Sequence, residues 1–301
     1  MDSVPLEFCH HVLGNFFLHP ILYKEMEKEL TGRWKDAIAG YVHELESTEI
    51  YLYCDEGEWS FQAFSHKEKR DLSLDELLAK DGRFFQCSGI LVGSERSKNS
   101  TKCSMEDARD RLIPFLFQQS TPETCLFLTE GLSTQDVRMC LDFFQSYNGS
   151  AVRQLNLTYY GQESEEFLAA WLERDCSLES LTLDKSWPLS ESVEDLVLKF
   201  ILTPACIQFH ITGWVKGELT FTPRIIKAML DAWAKTEKAL RHFHYDRDWN
   251  GAFEDVISLP LPPNVVVDYV ERDDIQWLKE DGAWLTCSRN TVNNSLMFCG
   301  K

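Results

Sequence analysis

Three histidines near the end of the chain come closest, in type and spacing, to a metal site. His242 and His244 are two residues apart, so on a strand they would share one face. His210 holds the matching position in the preceding strand-like segment, and Asp246 follows close by. Because neighbouring strands lie ~4.8 Å apart, His210 and His244 could meet. A plain polar sheet face explains the same residues more simply, so we predict neither a bound metal ion nor a cofactor.

No segment of the sequence carries a recognised catalytic motif. The chain lacks GxSxG, HExxH and a glycine-rich phosphate loop. One acidic run, Glu163, Glu165 and Glu166, stands at the start of a predicted helix, where carboxylates complement the helix dipole. We therefore predict that the protein is not an enzyme.

The charge of the chain disfavours nucleic acids and anionic membranes as partners. Of its 301 residues, 48 are acidic and 30 are basic, which gives a net charge of −18. Binding phosphate groups requires clustered lysines and arginines, and no basic stripe with interleaved aromatic residues is present. No apolar run reaches the ~20 residues that cross a bilayer. We expect this acidic protein to bind neither a nucleic acid nor a membrane.

Cysteine usage and the first residues indicate the compartment. The ten cysteines include no CxxC pair, and several stand in apolar runs, which is typical of reduced, buried thiols. Asp2 and Glu7 stand where a secretory signal would have a basic start. We predict a cytoplasmic protein, with a nuclear location as the alternative.

One unit, residues 152–183, organises the elements that would position these side chains. The strand alternation of Leu155 and Leu157 is followed by a turn at Gly161, an amphipathic run over 167–172, and a second alternation at Leu181 and Leu183. Such a unit cannot bury its own apolar side, so it needs copies of itself as neighbours.

Degenerate copies of this unit recur along the chain. Their first apolar strand residues lie 29, 26, 28 and 34 positions apart, namely Leu126, Leu155, Leu181, Phe209 and Phe243. An amphipathic run follows each of the first four strands, over 137–144, 167–172, 193–202 and 225–233. We predict a parallel sheet in this strand order with helices on its outer side, joined by right-handed crossovers.

The strands RQLNL and ESLTL resemble the xxLxL core of leucine-rich repeats. That family places Asn or Cys three residues after the second leucine, where this chain has Gly131, Tyr160, Ser186 and Trp214. The resemblance implies a degenerate leucine-rich-repeat-like solenoid over about 120–250, within an α/β domain over 45–301. The alternative is an ordinary α/β domain of strand–helix units without a true repeat.

The first 44 residues are predicted to form three short helices. Their opening resembles an F-box, of the kind expanded in nematode families: Val4, Pro5, Leu6, Glu7 and Phe8 match its start, Val12, Leu13 and Phe16 its first helix, and Arg33–Trp34 a later feature. The resemblance implies a surface for a Skp1-like linker protein, formed by Val4, Pro5, Leu6, Phe8, Val12, Leu13 and Trp34. The alternative is a helical cap on the repeat domain.

Between and after these regions, shorter elements are expected. Strands are predicted over 44–54 and 84–92, a helix over 72–79, a mobile loop over 93–103, and a helix capped by Ser104. After the LPLPP segment, four short strands over 265–270, 275–278, 283–287 and 295–299 predict an antiparallel β cap over about 260–301 that closes the open edge.

In a leucine-rich-like strand, the residues that flank the core leucines point outward. They form the candidate face for an unknown protein substrate: Asn156, Thr158, Thr182, Asp184, His210, Thr212, His244 and Asp246. Four aromatic residues just beyond the strands could anchor such a partner or pack beneath the turns, namely Tyr159, Trp187, Trp214 and Trp249.

The F-box resemblance therefore implies a substrate-recruiting adaptor of a cullin-type ubiquitin ligase, linked through a Skp1-like protein. A second interpretation stays open, in which the protein is a non-catalytic interaction scaffold, inhibitor or antidote whose N-terminal helices only cap the array.

Overall fold

A computed structural model describes residues 4–14, 20–147, 151–173, 178–213, 218–236, 241–246, 248–249 and 251–300. The protein is α/β and divides into two compact units, Met1–Val152 and Arg153–Lys301. The first unit includes both the N-terminal helices and the sheet that follows them, so the predicted boundary at residue 44 lies inside it.

Three helices open the first unit. They are α1 (Leu6–Gly14), α2 (Pro20–Glu29) and α3 (Gly32–Glu44), and they share a small core of Cys9, Leu13, Tyr23, Ala37, Ile38 and Tyr41. Two tyrosine hydroxyls tie the helices together, since Tyr23 donates to the Leu13 carbonyl at 3.2 Å and Tyr41 to the His10 carbonyl at 2.8 Å. Phe84, just before a strand of the sheet, packs against this core.

Six strands build the sheet of the first unit: β1 (Glu46–Asp55), β2 (Glu58–Ser65), β3 (Arg70–Asp71), β4 (Phe85–Gly93), β5 (Thr101–Cys103) and β6 (Ser120–Leu128). Their order is β3-β2-β1-β4-β6, with β5 also on β2. The pairs β1–β4 and β4–β6 are parallel, whereas β1–β2 is a hairpin. Its turn, Glu56–Gly57, has positive φ at both residues (50° and 80°), as tight hairpins require.

The prediction of a loop over 93–103 is wrong for its last three residues. Thr101–Cys103 forms β5, which pairs antiparallel with Trp59–Phe61 of β2. A three-residue polar strand has no apolar alternation of its own, so its pairing depends on the neighbouring strand rather than on a local signal.

Several helices of the first unit begin at serine caps, of which the sequence predicts only Ser104. Ser73 and Glu76 form a capping box on α4 (Leu74–Leu78), and the Ser104 side chain accepts a hydrogen bond from the Asp107 N–H. After Ser104 the chain stays helical through α5 (Met105–Asp107), a π-helical turn (Ala108–Leu112) and α6 (Ile113–Gln118). The last helix of the unit is α7 (Thr134–Gln145), which buries Val137, Cys140, Leu141 and Phe144.

The second unit contains four of the predicted repeat strands in the predicted order. They are β7 (Gln154–Leu157), β8 (Ser180–Asp184), β9 (Gln208–Thr212) and β10 (His242–Tyr245), and each is parallel to the next in this series. Leu155, Leu181, Phe209 and Phe243 stand opposite one another in register, which confirms the prediction for these strands. The first predicted repeat strand, around Leu126, is β6 of the first unit, and it is parallel to β4.

Helices alternate with these strands. They are α8 (Gln162–Glu173), α9 (Glu191–Ile201) and α10 (Pro223–Lys235), and α9 packs against both of the others. Each carries its apolar residues at helical spacing and buries them, as Val193, Val197 and Phe200 do on α9. A short helix, α11 (Phe253–Ile257), follows β10.

A β-meander ends the second unit, as predicted. It consists of β11 (Val265–Val270), β12 (Asp274–Lys279), β13 (Trp284–Asn290) and β14 (Ser295–Gly300), each antiparallel to the next. β14 pairs antiparallel with β10 and so occupies the edge that the last parallel strand would otherwise leave open. Trp277 and Phe298 stack inside it with ring centroids 6.3 Å apart.

Candidate interaction surfaces

The predicted polar row lies on one face of the second unit. Strand register places Asn156 beside Thr182, Thr182 beside His210, and His210 beside His244. These side chains are half-buried, while the leucines and phenylalanines between them are buried. The row follows from the two-residue period of a strand, because every polar residue flanking a core leucine points away from the helices.

The neighbouring row is formed at the carboxyl ends of the strands. Asp184 pairs in register with Thr212, Thr158 follows β7, and Asp246 follows β10. One oxygen of Asp184 accepts a hydrogen bond from the Ser186 N–H at 3.0 Å, whereas its other oxygen is buried without a partner among the described residues. The structure thus gathers the eight residues of the predicted face along two rows of one sheet.

The histidines form a tighter cluster than the sequence predicts. His210 Nε2 lies 3.0 Å from His242 Nδ1, and the ring centroids of His210 and His244 are 5.9 Å apart. Burial, together with the neighbouring imidazoles, lowers the pKa of His210 to about 4. Burial also lowers the pKa of His242 and of His244, although Asp246 acts in the opposite direction on His244. The cluster is therefore uncharged at neutral pH, when one imidazole of the close pair can donate a hydrogen bond to the other.

The two described tryptophans that follow the strands are not surface anchors. Trp187 is fully buried and its Nε1 donates to the Leu157 carbonyl at 2.9 Å, while Trp249 is also buried and its Nε1 lies 3.4 Å from the Phe221 carbonyl. The anchor interpretation is wrong for both, because each indole packs beneath a turn and satisfies a backbone acceptor there. Tyr159 is half-buried against Trp187, and Trp214 lies outside the described residues.

The N-terminal helices expose several of the apolar side chains that the sequence predicts as a linker-binding surface. Pro5 is exposed, and so are Leu6 and Phe8, with 41% and 52% of their surface accessible. The Phe8 ring stands edge-on to Trp34 at 6.4 Å. We call Pro5, Leu6, Phe8 and Trp34 the N-terminal apolar surface.

Four of the candidate residues of these helices are less accessible than Pro5, Leu6 and Phe8. Val4, Val12 and Trp34 are half-buried, and Leu13 is only 1% exposed because it belongs to the helical core. Leu13 is therefore a core residue and not part of the surface. Ile21 and Leu22 of α2 are also exposed, which the sequence reading did not select, and Phe16 lies outside the described residues.

A groove on the sheet face of the first unit was missed by sequence reasoning. It has a volume of about 540 Å³ and lies over β1, β4 and the end of β6, with Tyr51, Tyr53, Leu91, Gly93, Glu95 and Glu130 among its lining residues. The alternation that buries Ile50 and Leu52 also turns both tyrosines outward. That alternation is visible in the sequence, and it predicts the outward direction of both tyrosines as directly as it predicts the buried core.

Neither a metal centre nor a membrane span emerges from the described part of the chain. No group of three or more His, Cys, Asp or Glu side chains is placed there to hold a metal ion. Every helix in the same ranges is too short or too polar to cross a membrane. In comparisons with known proteins, no family model, no curated protein and no solved structure matches this chain significantly.

Proposed function

We propose that this protein is a substrate-recruiting adaptor of a cullin-type ubiquitin ligase, bound to a Skp1-like linker through the N-terminal apolar surface. The observation that carries the proposal is the exposure of Leu6 and Phe8 on a three-helix bundle that has its own core. Complete burial of a fully exposed side chain of this size is worth ~1.5–3 kcal/mol, and Leu6 and Phe8 still have 41% and 52% of their surface to bury. An exposed pair beside a proline and a tryptophan therefore favours an interface.

The second part of the proposal is a degenerate leucine-rich-repeat-like face that holds the protein substrate. Its support is the series of parallel strands with matched leucine positions, together with one turn contact. Ser186 stands where the repeat family has Asn, and its hydroxyl accepts a hydrogen bond from the Tyr159 N–H at 3.3 Å. Ser186 thus links two successive units through a backbone group, which is the role that the family's Asn has inside its turns.

An adaptor of this kind performs no chemistry on its substrate. It binds the linker at one surface and the target at another, which raises the local concentration of target lysines near the charged ubiquitin carrier. The residues proposed to hold the target are those of the polar rows, Asn156, Thr158, Thr182, Asp184, His210, Thr212, His244 and Asp246. Such an assembly would operate in the cytoplasm or the nucleus.

The test is binding of the purified chain to a purified Skp1-like linker protein from the same organism. Leu6→Asp with Phe8→Asp places two charges in the proposed apolar interface, so we expect affinity to fall by more than roughly tenfold. The matched control is Leu189→Asp with Leu202→Asp, two comparably exposed leucines of the second unit, which should leave binding unchanged. Absence of binding by the unaltered chain would reject the adaptor.

The scaffold interpretation is favoured by a different observation. Arg33 donates a hydrogen bond to the Val4 carbonyl at 2.9 Å, and Phe8 already contacts Trp34, so the first helix is fastened to the third. If these helices serve only the fold, the Leu6 and Phe8 substitutions should lower the melting temperature and no linker should bind. In the adaptor, the melting temperature should stay close to that of the unaltered chain, because both side chains already face water.

A further inference from the structure

The groove over β1 and β4 combines an aromatic wall with a floor formed by Leu91 and by Gly93, which has no side chain. Tyr51 stands beside Leu91 in register, and Tyr53 stands beside Gly93. The two tyrosine rings are nearly parallel, at 14°, with centroids 6.5 Å apart. The Tyr51 hydroxyl donates to Glu49 at 3.2 Å, and the Tyr53 hydroxyl lies 3.5 Å from the Gln62 side-chain oxygen.

Glycine at position 93 keeps this floor open. A Cβ there would lie 2.5 Å from the Thr129 hydroxyl oxygen, which in turn donates to the Val92 carbonyl at 2.9 Å. A side chain at this position would therefore disturb the junction of β4 and β6 and narrow the groove. The opening beside the tyrosines is a built feature of the sheet.

Carboxylates supply the charge of the groove. Glu95 and Glu130 line it and are exposed, and neither has an ion-pair or hydrogen-bond partner among the described residues. No described lysine or arginine lines the groove; Arg96, the nearest in sequence, donates its Nε to Ser100 at 3.0 Å. The pocket is thus apolar at its base and anionic at its rim.

We propose that this groove binds an arginine side chain of a partner protein. A guanidinium stacks on tyrosine faces and pairs with carboxylates, and its aliphatic stem suits the Leu91 floor. The carboxylates of Glu95 and Glu130 would pair with the guanidinium charge, while the rings of Tyr51 and Tyr53 would stack on its planar face. The inference goes beyond the adaptor proposal and does not depend on it, because no residue of the N-terminal apolar surface takes part.

The probe is a fluorescein-labelled peptide, (Gly-Leu-Arg-Leu)3, compared with the same peptide in which citrulline replaces every arginine. Citrulline keeps the planar shape and removes the charge. With the unaltered full chain, fluorescence anisotropy should give roughly tenfold tighter binding of the arginine peptide. Equal affinity for both peptides, or no binding of the arginine peptide, would overturn the proposal.

Two double variants distinguish binding in the groove from non-specific attraction by the negative charge of the whole chain. Glu95→Gln with Glu130→Gln should remove the preference for arginine, whereas Glu271→Gln with Glu280→Gln, two exposed carboxylates of the second unit, should retain it. Equal loss in both double variants would show diffuse attraction and reject the site. Tyr51→Ala should also weaken binding of the arginine peptide, with circular dichroism and the melting temperature used to verify the fold, and unchanged binding in this variant would contradict the aromatic wall.

Discussion

At the scale of single residues, the histidine cluster shows how neighbours decide a side chain's chemistry. His210, His242 and His244 contact one another through ring nitrogens and ring faces, and the negative charge of Asp246 acts on His244 to raise its pKa, against the effect of burial. Adding one positive charge to such a group costs free energy through both desolvation and repulsion. The cluster therefore belongs to a polar sheet face that is neutral near pH 7.

This cluster should make the second unit sensitive to mild acid. The folded pKa of His210, about 4, is below its unfolded value near 6.5, so the unfolded state binds more protons between these values. The associated stability is complete above pH ~6.5 and is lost as the pH falls towards 4. For His210 alone the loss between pH 7 and pH 4.5 should be about 2 kcal/mol.

Urea unfolding at both pH values measures this effect. His210→Gln should reduce the acid-induced loss of stability, whereas His43→Gln, an exposed histidine on α3, should leave it unchanged. Equal pH dependence in the unaltered protein and in His210→Gln would contradict the assigned role.

Two fully buried tryptophans of the second unit differ in one hydrogen bond. Trp187 donates to the Leu157 carbonyl, whereas the Trp277 N–H has no partner among the described residues. Trp187→Phe should therefore destabilise the protein by about 1–2 kcal/mol more than Trp277→Phe, because only the first substitution breaks a buried hydrogen bond. Denaturant unfolding of both variants provides the comparison, and an equal or larger cost for Trp277→Phe would show that packing outweighs the hydrogen bond.

At the scale of elements, strong periodicity was predictable and partner-dependent structure was not. The strands around Leu155, Leu181 and Phe209 follow from a two-residue alternation set against a helical period in the same unit. The terminal meander follows from its turn residues and short alternating runs. By contrast, β5 has no signal of its own and exists because β2 offers an unpaired edge.

The meander is also the element whose core can be tested by a matched pair on one strand. Phe298 is fully buried on β14 and stacks on Trp277, while its neighbour Met297 is 40% exposed on the opposite face. Phe298→Ala should cost ~3–5 kcal/mol through lost burial and a cavity, and Met297→Ala should cost less than about 1 kcal/mol. Thermal unfolding of the two variants decides this, and similar melting temperatures would mean that β14 contributes little to the core of the second unit.

At the scale of the whole molecule, the sequence predicted which residues share a face better than which of them are exposed. It placed His210 and His244 in one row, because strand register follows from the leucine positions. It did not reveal that Trp187 is buried, nor that Leu13 belongs to the helical core. Exposure depends on how distant elements pack, and this information is not contained in local periodicity.

The net charge of −18 leads to the last prediction, which concerns the protein in solution. Like charges on a compact chain repel one another, and salt screens that repulsion over a Debye length of ~10 Å at 0.1 M. Most described ion pairs are exposed, as between Arg70 and Glu76 or Arg111 and Asp75. Exposed pairs contribute little to the free energy of unfolding, so screening them with salt should destabilise the protein only slightly. The melting temperature should therefore rise when sodium chloride is increased from about 10 to 200 mM, by ~2–4 °C for each kcal/mol of repulsion relieved.

Differential scanning calorimetry with sodium chloride and potassium chloride measures the effect, and the two salts should agree if screening is the cause. Glu271→Gln with Glu280→Gln should raise the low-salt melting temperature and flatten the salt response, whereas a melting temperature that falls with salt would mean that the surface ion pairs outweigh the net repulsion.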